Sequence, residues 1–294
     1  MRINVEVKNL SVQYKEFKAL NNVNVTLESG KIYGLIGRNG AGKTSLLSLL
    51  ASYRKPSSGF ITINGESLFE NEEWMPKVSF VHYTDYKDEH DTAKVYLELA
   101  ERYRSTFDRE YAEQLATVFK LALDKPIRKL STGMQSVLNV IIGLASRSPI
   151  TIFDEAYQGM DAPTREIFYK EVLEDQARFP RIIILSTHLV SEMEYLFDKV
   201  LMIHKGELVV HEPIDRLLQK GFSITGTADK VDQAVNGLQK LSEQKLGGTK
   251  SVMVYEELPE QKVEDIQQLG LEVEQVSLHD LFIQLTSDKE EGSK

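Results

Sequence analysis

Ile3, Val5 and Val7 alternate with polar residues, and so do Val23, Val25 and Leu27 ahead of Glu28-Ser29-Gly30. A period of two marks half-buried strands, so both segments are expected to be edge-type antiparallel strands. The run Ile32-Tyr33-Gly34-Leu35-Ile36 is apolar throughout and reads as a buried strand; it enters a glycine-rich loop and then a helix-compatible segment, Ser45 to Tyr53. Ser57-Ser58-Gly59 turns the chain into Phe60-Ile61-Thr62-Ile63, and Asn64-Gly65 closes that strand with a hairpin signal. Residues 92–104 and 108–123 carry helical apolar spacing, as at Val95, Leu99 and Tyr103, and predict a small helical insertion. Ile150–Phe153 and Arg181–Leu185 read as two buried parallel strands joined through an amphipathic helix.

Lys220-Gly221 marks a boundary. Beyond it the pattern predicts a strand (Phe222–Thr225), a helix (Lys230–Leu241), a strand (Ser251–Tyr255), a helix (Gln261–Leu269), a strand (Leu271–Val276) and a short helix from Leu278 to Leu285. That order suits a small α+β unit of split-βαβ type, followed by a disordered tail from Ser287 to Lys294. The expected division is 1–220 and 221–294.

With 294 residues, 41% hydrophobic and 27% charged, the chain can bury a substantial core. The net charge is −9, and residues 221–294 hold 7 basic against 14 acidic side chains, so the acidity sits mostly in the last third. Neither part has the Lys/Arg surplus that displaces counterions from DNA or RNA, and nucleic acid is not an expected partner. There is no cysteine, which excludes disulfides, thiolate metal sites and thiol nucleophiles. The opening MRINVEVKNL lacks the apolar stretch of a secretory leader. The longest nearly apolar stretch, Val137 to Ala145, is about half of the ~20 residues that cross a bilayer, so any membrane role is expected to come through a partner.

Gly37-Arg38-Asn39-Gly40-Ala41-Gly42-Lys43-Thr44 fits the phosphate-binding loop G-x-x-x-x-G-K-[ST], placed after a buried strand and before the helix that opens near Ser45. Such a loop turns backbone N–H groups onto phosphate oxygens, its Lys reaches the β- and γ-phosphates, and its Thr hydroxyl ligates Mg²⁺. Ile150-Thr151-Ile152-Phe153-Asp154-Glu155 delivers two carboxylates at the end of a buried strand, where α/β sheets bind ligands. Alone, that pair is equally a helix cap with a dipole-favoured acid. Beside the loop, Asp154 is the expected metal ligand and Glu155 the group that polarises attacking water.

Leu130-Ser131-Thr132-Gly133-Met134-Gln135, ending 19 residues before Asp154, resembles the L-S-x-G-[QM] signature of the ATP-binding cassette (ABC) family. The resemblance implies an α/β P-loop NTPase core of ABC type over about residues 3–220, with an antiparallel β subdomain and a helical insertion at about 84–130. It also implies a site for ATP and Mg²⁺ at residues 37–45, and contact of Ser131, Gly133 and Gln135 with the ATP held by an opposing subunit. Tyr14, 29 residues before Lys43, resembles the family's adenine-stacking aromatic, though an aromatic at a strand end also serves packing. Asp161 in Gly159-Met160-Asp161 resembles the acid of the loop between subunits, and His188 in Ser186-Thr187-His188 the switch histidine at the γ-phosphate.

Three positions depart from the pattern. Thr132 and Met134 replace the commoner Gly and Gln, as in bacitracin-export-type and Ytr-type ATPases, and Ala156 stands where Pro is common. Tyr83, following Val78-Ser79-Phe80-Val81-His82, stands where the family has a Gln that offers its carbonyl to the metal. A phenol has a longer, stiffer arm, which can reach water around the metal but does not copy an amide, so Tyr83 is a further candidate at the Mg²⁺ site. The implied function is ATP hydrolysis that drives export through separate membrane permease subunits at the cytoplasmic face, with a second ATPase subunit, identical or sister. The alternative is a catalytically impaired regulatory subunit of a heterodimeric pair. A ribosome- or nucleic-acid-directed ABC ATPase fits less well, because the chain has one cassette and no sustained heptads. The acidic C-terminal unit either regulates, dimerises or solubilises.

Overall fold

A computed structural model describes residues 2–287; the expected tail lies, but for Ser287, outside the described residues. The chain opens with strands β1 (Asn4–Tyr14), β2 (Phe17–Glu28) and β3 (Lys31–Ile36), then helix α1 (Lys43–Leu50), β4 (Ser58–Ile63), β5 (Glu66–Ser67) and β6 (Val78–Val81). Helices α2 (Ala93–Tyr103), α3 (Arg109–Val118) and α4 (Thr132–Ala145) lead to β7 (Ile150–Asp154), α5 (Ala162–Arg178), β8 (Ile182–Thr187) and α6 (Val190–Met193). Next come β9 (Lys199–His204), β10 (Glu207–Pro213) and α7 (Ile214–Leu218). The C-terminal unit has β11 (Gly221–Thr227), α8 (Ala228–Ala234), β12 (Lys240–Leu246), β13 (Thr249–Tyr255), α9 (Glu260–Gln268), β14 (Glu272–Gln275) and α10 (Leu278–Leu285).

A six-stranded sheet, in the order β10-β9-β3-β8-β7-β6, forms the centre. Its strands run parallel from β9 to β6, and β10 is antiparallel at one edge. Both faces are covered, which is why β3, β7 and β8 are apolar without alternation. Gly34 lets β3 lie against the ring of Phe197, whose carbons stand 2.5 Å from where a Cβ would sit.

A second sheet, β2-β1-β4-β5, is antiparallel and stacks its alternating residues onto the first. Here β1 is interior, between β2 and β4, rather than the edge strand its alternation suggests; its exposed positions point outward from a paired strand. The phase change from Val5-Val7 to Leu10-Val12 is taken up by a bulge, with Asn9 at φ 49°.

The third sheet, β12-β13-β11-β14, is antiparallel and carries α8 and α9 around its own core of Ile224, Val231, Val235, Val252, Val254 and Ile266. The helix expected over Lys230–Leu241 stops at Ala234, and β12 occupies the region from Lys240. Val231, Val235 and Leu238 are all buried at helical spacing, which explains the expectation, but the helix ends at Ala234 with Val235 as its cap, Gly237 at φ 81° turns the chain beyond it, and Leu238 is buried as a loop anchor. Helix α10 lies against α6 and β12, so Val276, Leu278 and Leu281 join the core of the main domain.

Candidate nucleotide site

The loop between β3 and α1 turns sharply. Gly42 has φ 113°, and a Cβ there would stand 2.6 Å from the carbonyl oxygen of Ala19. Lys43, the first residue of α1, is 6% exposed, and its Nζ donates to the carbonyl oxygen of Gly37 (2.6 Å) and, more weakly, Arg38 (3.4 Å). Burial lowers the Lys43 pKa, against the opposing pull of Glu155 and Asp154. The loop thus aims a cation and the start of a helix at one point.

Strand β7 brings Asp154 to that point, where Thr44 Oγ1 donates to Asp154 Oδ2 at 2.8 Å. Glu155 leaves the strand at φ 48°, with its N–H donating to Ser186 O at 3.2 Å. Its carboxylate accepts from Gln158 Nε2 (2.9 Å) and lies 3.3 Å from His188 Nδ1 and 3.9 Å from Lys43 Nζ. Glu155 is therefore held by several weak contacts rather than one strong pair, and stays available to a water. His188 follows β8 and shares a hydrogen-bond cluster with Thr187 and Tyr157.

Lys43, Thr44, Asp154, Glu155 and Gln158 line a cleft of about 720 Å³. One wall is the β1–β2 hairpin, where Tyr14 and Phe17 are cross-strand neighbours; the Arg54 guanidinium lies 4.8 Å over the Tyr14 ring, and Phe17 is 60% exposed. The other wall holds Tyr53, Phe80, His82 and Tyr83, with Phe80 against Tyr53 (5.4 Å between ring centres) and His82 (4.9 Å). Tyr83 is exposed on the same cleft as Asp154 and Thr44.

Of the residues expected at the site, Tyr14, Arg38, Asn39, Gly40, Gly42, Lys43, Thr44, Ser45, Tyr83, Asp154 and Glu155 line the cleft. Gly37 and Ala41 belong to the same loop, and His188 reaches the cleft through Glu155. Ser131, Gly133, Gln135 and Asp161 lie apart from it. Ser131 caps α4, its Oγ accepting from Met134 N (3.3 Å), and Asp161 caps α5, its Oδ1 accepting from Thr164 N (3.0 Å). Gln135 Nε2 donates to the carbonyls of Ile127 (3.1 Å) and Leu130 (3.4 Å). Ser131 and Asp161 are exposed and their two loops touch: a Cβ on Gly133 would run into the carbonyl of Gly159. Phe17, Gln158 and Tyr157 escaped the sequence reading. For Phe17 the available signal was an aromatic three residues from Tyr14 across a tight turn.

A phosphate loop on a parallel sheet, a carboxylate pair at the next strand's end and a capped helix turned outward define an ATP-binding cassette. The ABC transporter family model matches residues 20–158 of this chain, from β2 to the turn after β7. It is similar to the ABC transporter ATP-binding protein YtrB of Bacillus subtilis (strain 168), 26% identical over 220 residues, covering 75% of each chain. It is likewise similar to the bacitracin transport ATP-binding protein BcrA of Bacillus licheniformis, 29% identical over 220 residues, which are 74% of this chain and 72% of that one. A solved ATP-binding subunit of an ABC transporter superposes with TM-score 0.66 at 26% identity, over 72% of this chain and 91% of the other.

Proposed function

We propose that this chain binds and hydrolyses ATP as the energising subunit of an exporter whose membrane-spanning part is a separate permease. The observation that carries this reading is the convergence of Lys43, Thr44, Asp154 and Glu155 on one cleft, with His188 beside Glu155. The name of the bacitracin-transport relative supports the export sense. No helix among the described residues is long and apolar enough to cross a membrane, which suits a subunit held at the cytoplasmic face by its partner.

The polyphosphate lies along the 37–44 loop, where backbone N–H groups and Lys43 meet its oxygens. The adenine stacks on Tyr14. Thr44 and Asp154 are hard oxygen donors and would hold Mg²⁺. When bound, the ion neutralises phosphate charge. Glu155 takes up the attacking water and polarises it, while Gln158 fixes the far carboxylate oxygen. His188 faces the γ-phosphate.

Ser131 and Asp161 stand outside this cleft, so they serve the ATP of a second subunit, a copy of this chain or a sister. The α4 N-terminus then supplies helix-end potential to that γ-phosphate. The dimer closes when γ-phosphate bridges the halves and opens once it is hydrolysed, and residues 84–130 pass the motion to the permease. Tyr83 favours a second reading, an impaired member of a heterodimeric pair, because it places a phenol where the family has an amide.

The test is Mg²⁺-dependent ATP hydrolysis by the purified chain against protein concentration, with Glu155→Gln as control. A rate per subunit that rises with concentration and vanishes in Glu155→Gln, with ATP binding intact, is the expected result. Steady-state turnover in Glu155→Gln would remove Glu155 from its role. ATP binding without hydrolysis at any concentration would favour the impaired-subunit reading.

A further inference from the structure

The hydrogen bonds around His188 bear on where its ring proton sits. Leu189 N–H donates to Thr187 Oγ1 (2.8 Å), and the Thr187 hydroxyl donates to the phenol oxygen of Tyr157 (3.0 Å). The His188 backbone N–H donates to that same oxygen at 3.2 Å. The phenol oxygen is thus already an acceptor twice over, and its own proton points at His188 Nδ1, 3.1 Å away. The reverse orientation, with the phenol donating to Thr187, would strand the Thr187 proton, which has no other acceptor among the described residues. Thr187 is fully buried and Tyr157 is 5% exposed, so water does not take over either proton. Burial also raises the Tyr157 pKa, keeping the phenol protonated at neutral pH.

We propose that Tyr157 is a positioning residue: by donating to Nδ1 it holds His188 in the neutral Nε2–H tautomer. That tautomer turns a donor toward the γ-phosphate and leaves the Glu155 carboxylate to its water. The role rests on the ATPase reading of the cleft, whereas the proton assignment rests on the hydrogen bonds alone. The rival arrangement puts the proton on Nδ1 and donates it to Glu155 Oε1, 3.3 Å away. It would engage the base with the histidine and leave the buried phenol proton without an acceptor. The carboxylate does not need that donor, because Gln158 Nε2 at 2.9 Å and the Lys43 ammonium at 3.9 Å already face it. Nε2 of His188 has no protein partner among the described residues, and the side chain is 51% exposed. A tyrosine two residues past the base, opposite the histidine, therefore does the tautomer-setting that a carboxylate or carbonyl does elsewhere.

Long-range ¹H–¹⁵N spectra of the full chain at neutral pH, with His188→Gln to assign the ring, read the tautomer directly. The expected result is a protonated Nε2 and a bare Nδ1 in the wild type. In Tyr157→Phe, which keeps the ring and loses the hydroxyl, the Nδ1–H form appears; kcat falls roughly tenfold, the equivalent of one hydrogen bond, with KM for ATP unchanged. A wild-type His188 that is Nδ1–H or doubly protonated overturns the proposal, and so does an unchanged tautomer in Tyr157→Phe. Should that variant not fold, the wild-type spectrum alone decides. An Nε2–H ring in a chain without ATPase activity would sink the function proposed above and leave the Tyr157–His188 pairing standing.

Discussion

Lys43 keeps its ammonium on the carbonyls of its own loop, and burial lowers its pKa from 10.5. As pH rises through the lowered value the free protein loses this charge, whereas bound phosphate favours the charged form. ATP binding in the alkaline range is therefore expected to take up a proton and to weaken as pH rises; calorimetry in buffers of different ionisation heat measures the uptake. Lys43→Ala should weaken ATP binding by roughly 10- to 100-fold, the worth of a charge-assisted hydrogen bond, and should abolish the uptake. Tyr83 calls for a different experiment, because its phenol lies on the cleft without copying an amide. If the chain works with a separate permease, as proposed above, hydrolysis is expected to survive with coupling altered, so Tyr83→Gln should change the permease's stimulation of ATPase. Equal rate and equal stimulation would dismiss the idea. The convergence of Lys43, Thr44, Asp154 and Glu155 is readable in the chain because each is fixed by type and spacing on a strand–loop–helix unit. Tyr157 is not, since its role exists only once β7 and β8 lie side by side, and Gln158 meets Glu155 only through the turn that follows β7.

At the scale of elements, period and glycine chemistry carry most of what the sequence announces. Buried parallel strands stand out because both faces are covered, and α4 is flagged by the Ser131 cap and an apolar run. The interior position of β1 is invisible because alternation reports one buried face, not the number of paired edges. β12 is missed because its own residues are mostly exposed and polar, while the helical spacing of Val231, Val235 and Leu238 extends past the true end of α8. The contact between α4 and the loop at Gly159 depends on Gly133 having no side chain. Gly133→Ala should push these elements apart at a cost of about 1–3 kcal/mol, lowering Tm by roughly 2–4 °C per kcal/mol. An unchanged Tm would mean that the loop yields freely. A second effect follows if Ser131 and Asp161 share one interface: ATP-dependent dimerisation should weaken while ATP binding by the monomer stays intact.

For the whole molecule, the open question of architecture is what joins the C-terminal unit to the cassette. The covalent link passes through α7 into β11, but the packing link is α10, which lies against α6. α6 begins two residues after His188, and Val190, Met193, Leu278 and Leu281 belong to one buried cluster. Gly221, at the start of β11, is a glycine beneath Leu281, whose Cδ2 stands 2.9 Å from where a Cβ would lie. A single buried leucine thus touches the first strand of the C-terminal sheet and shares a core with the helix that follows His188. Leu281→Ala should cost about 2–5 kcal/mol, the range for emptying a fully buried leucine site. Because α10 is shared, amide exchange is expected to quicken in both β11 and α6 while β7 and β8 keep their protection. Exchange confined to residues 221–287 would instead make the C-terminal unit a passive neighbour. Quickening at α6 would mean that the C-terminal unit is energetically coupled to the segment that follows His188.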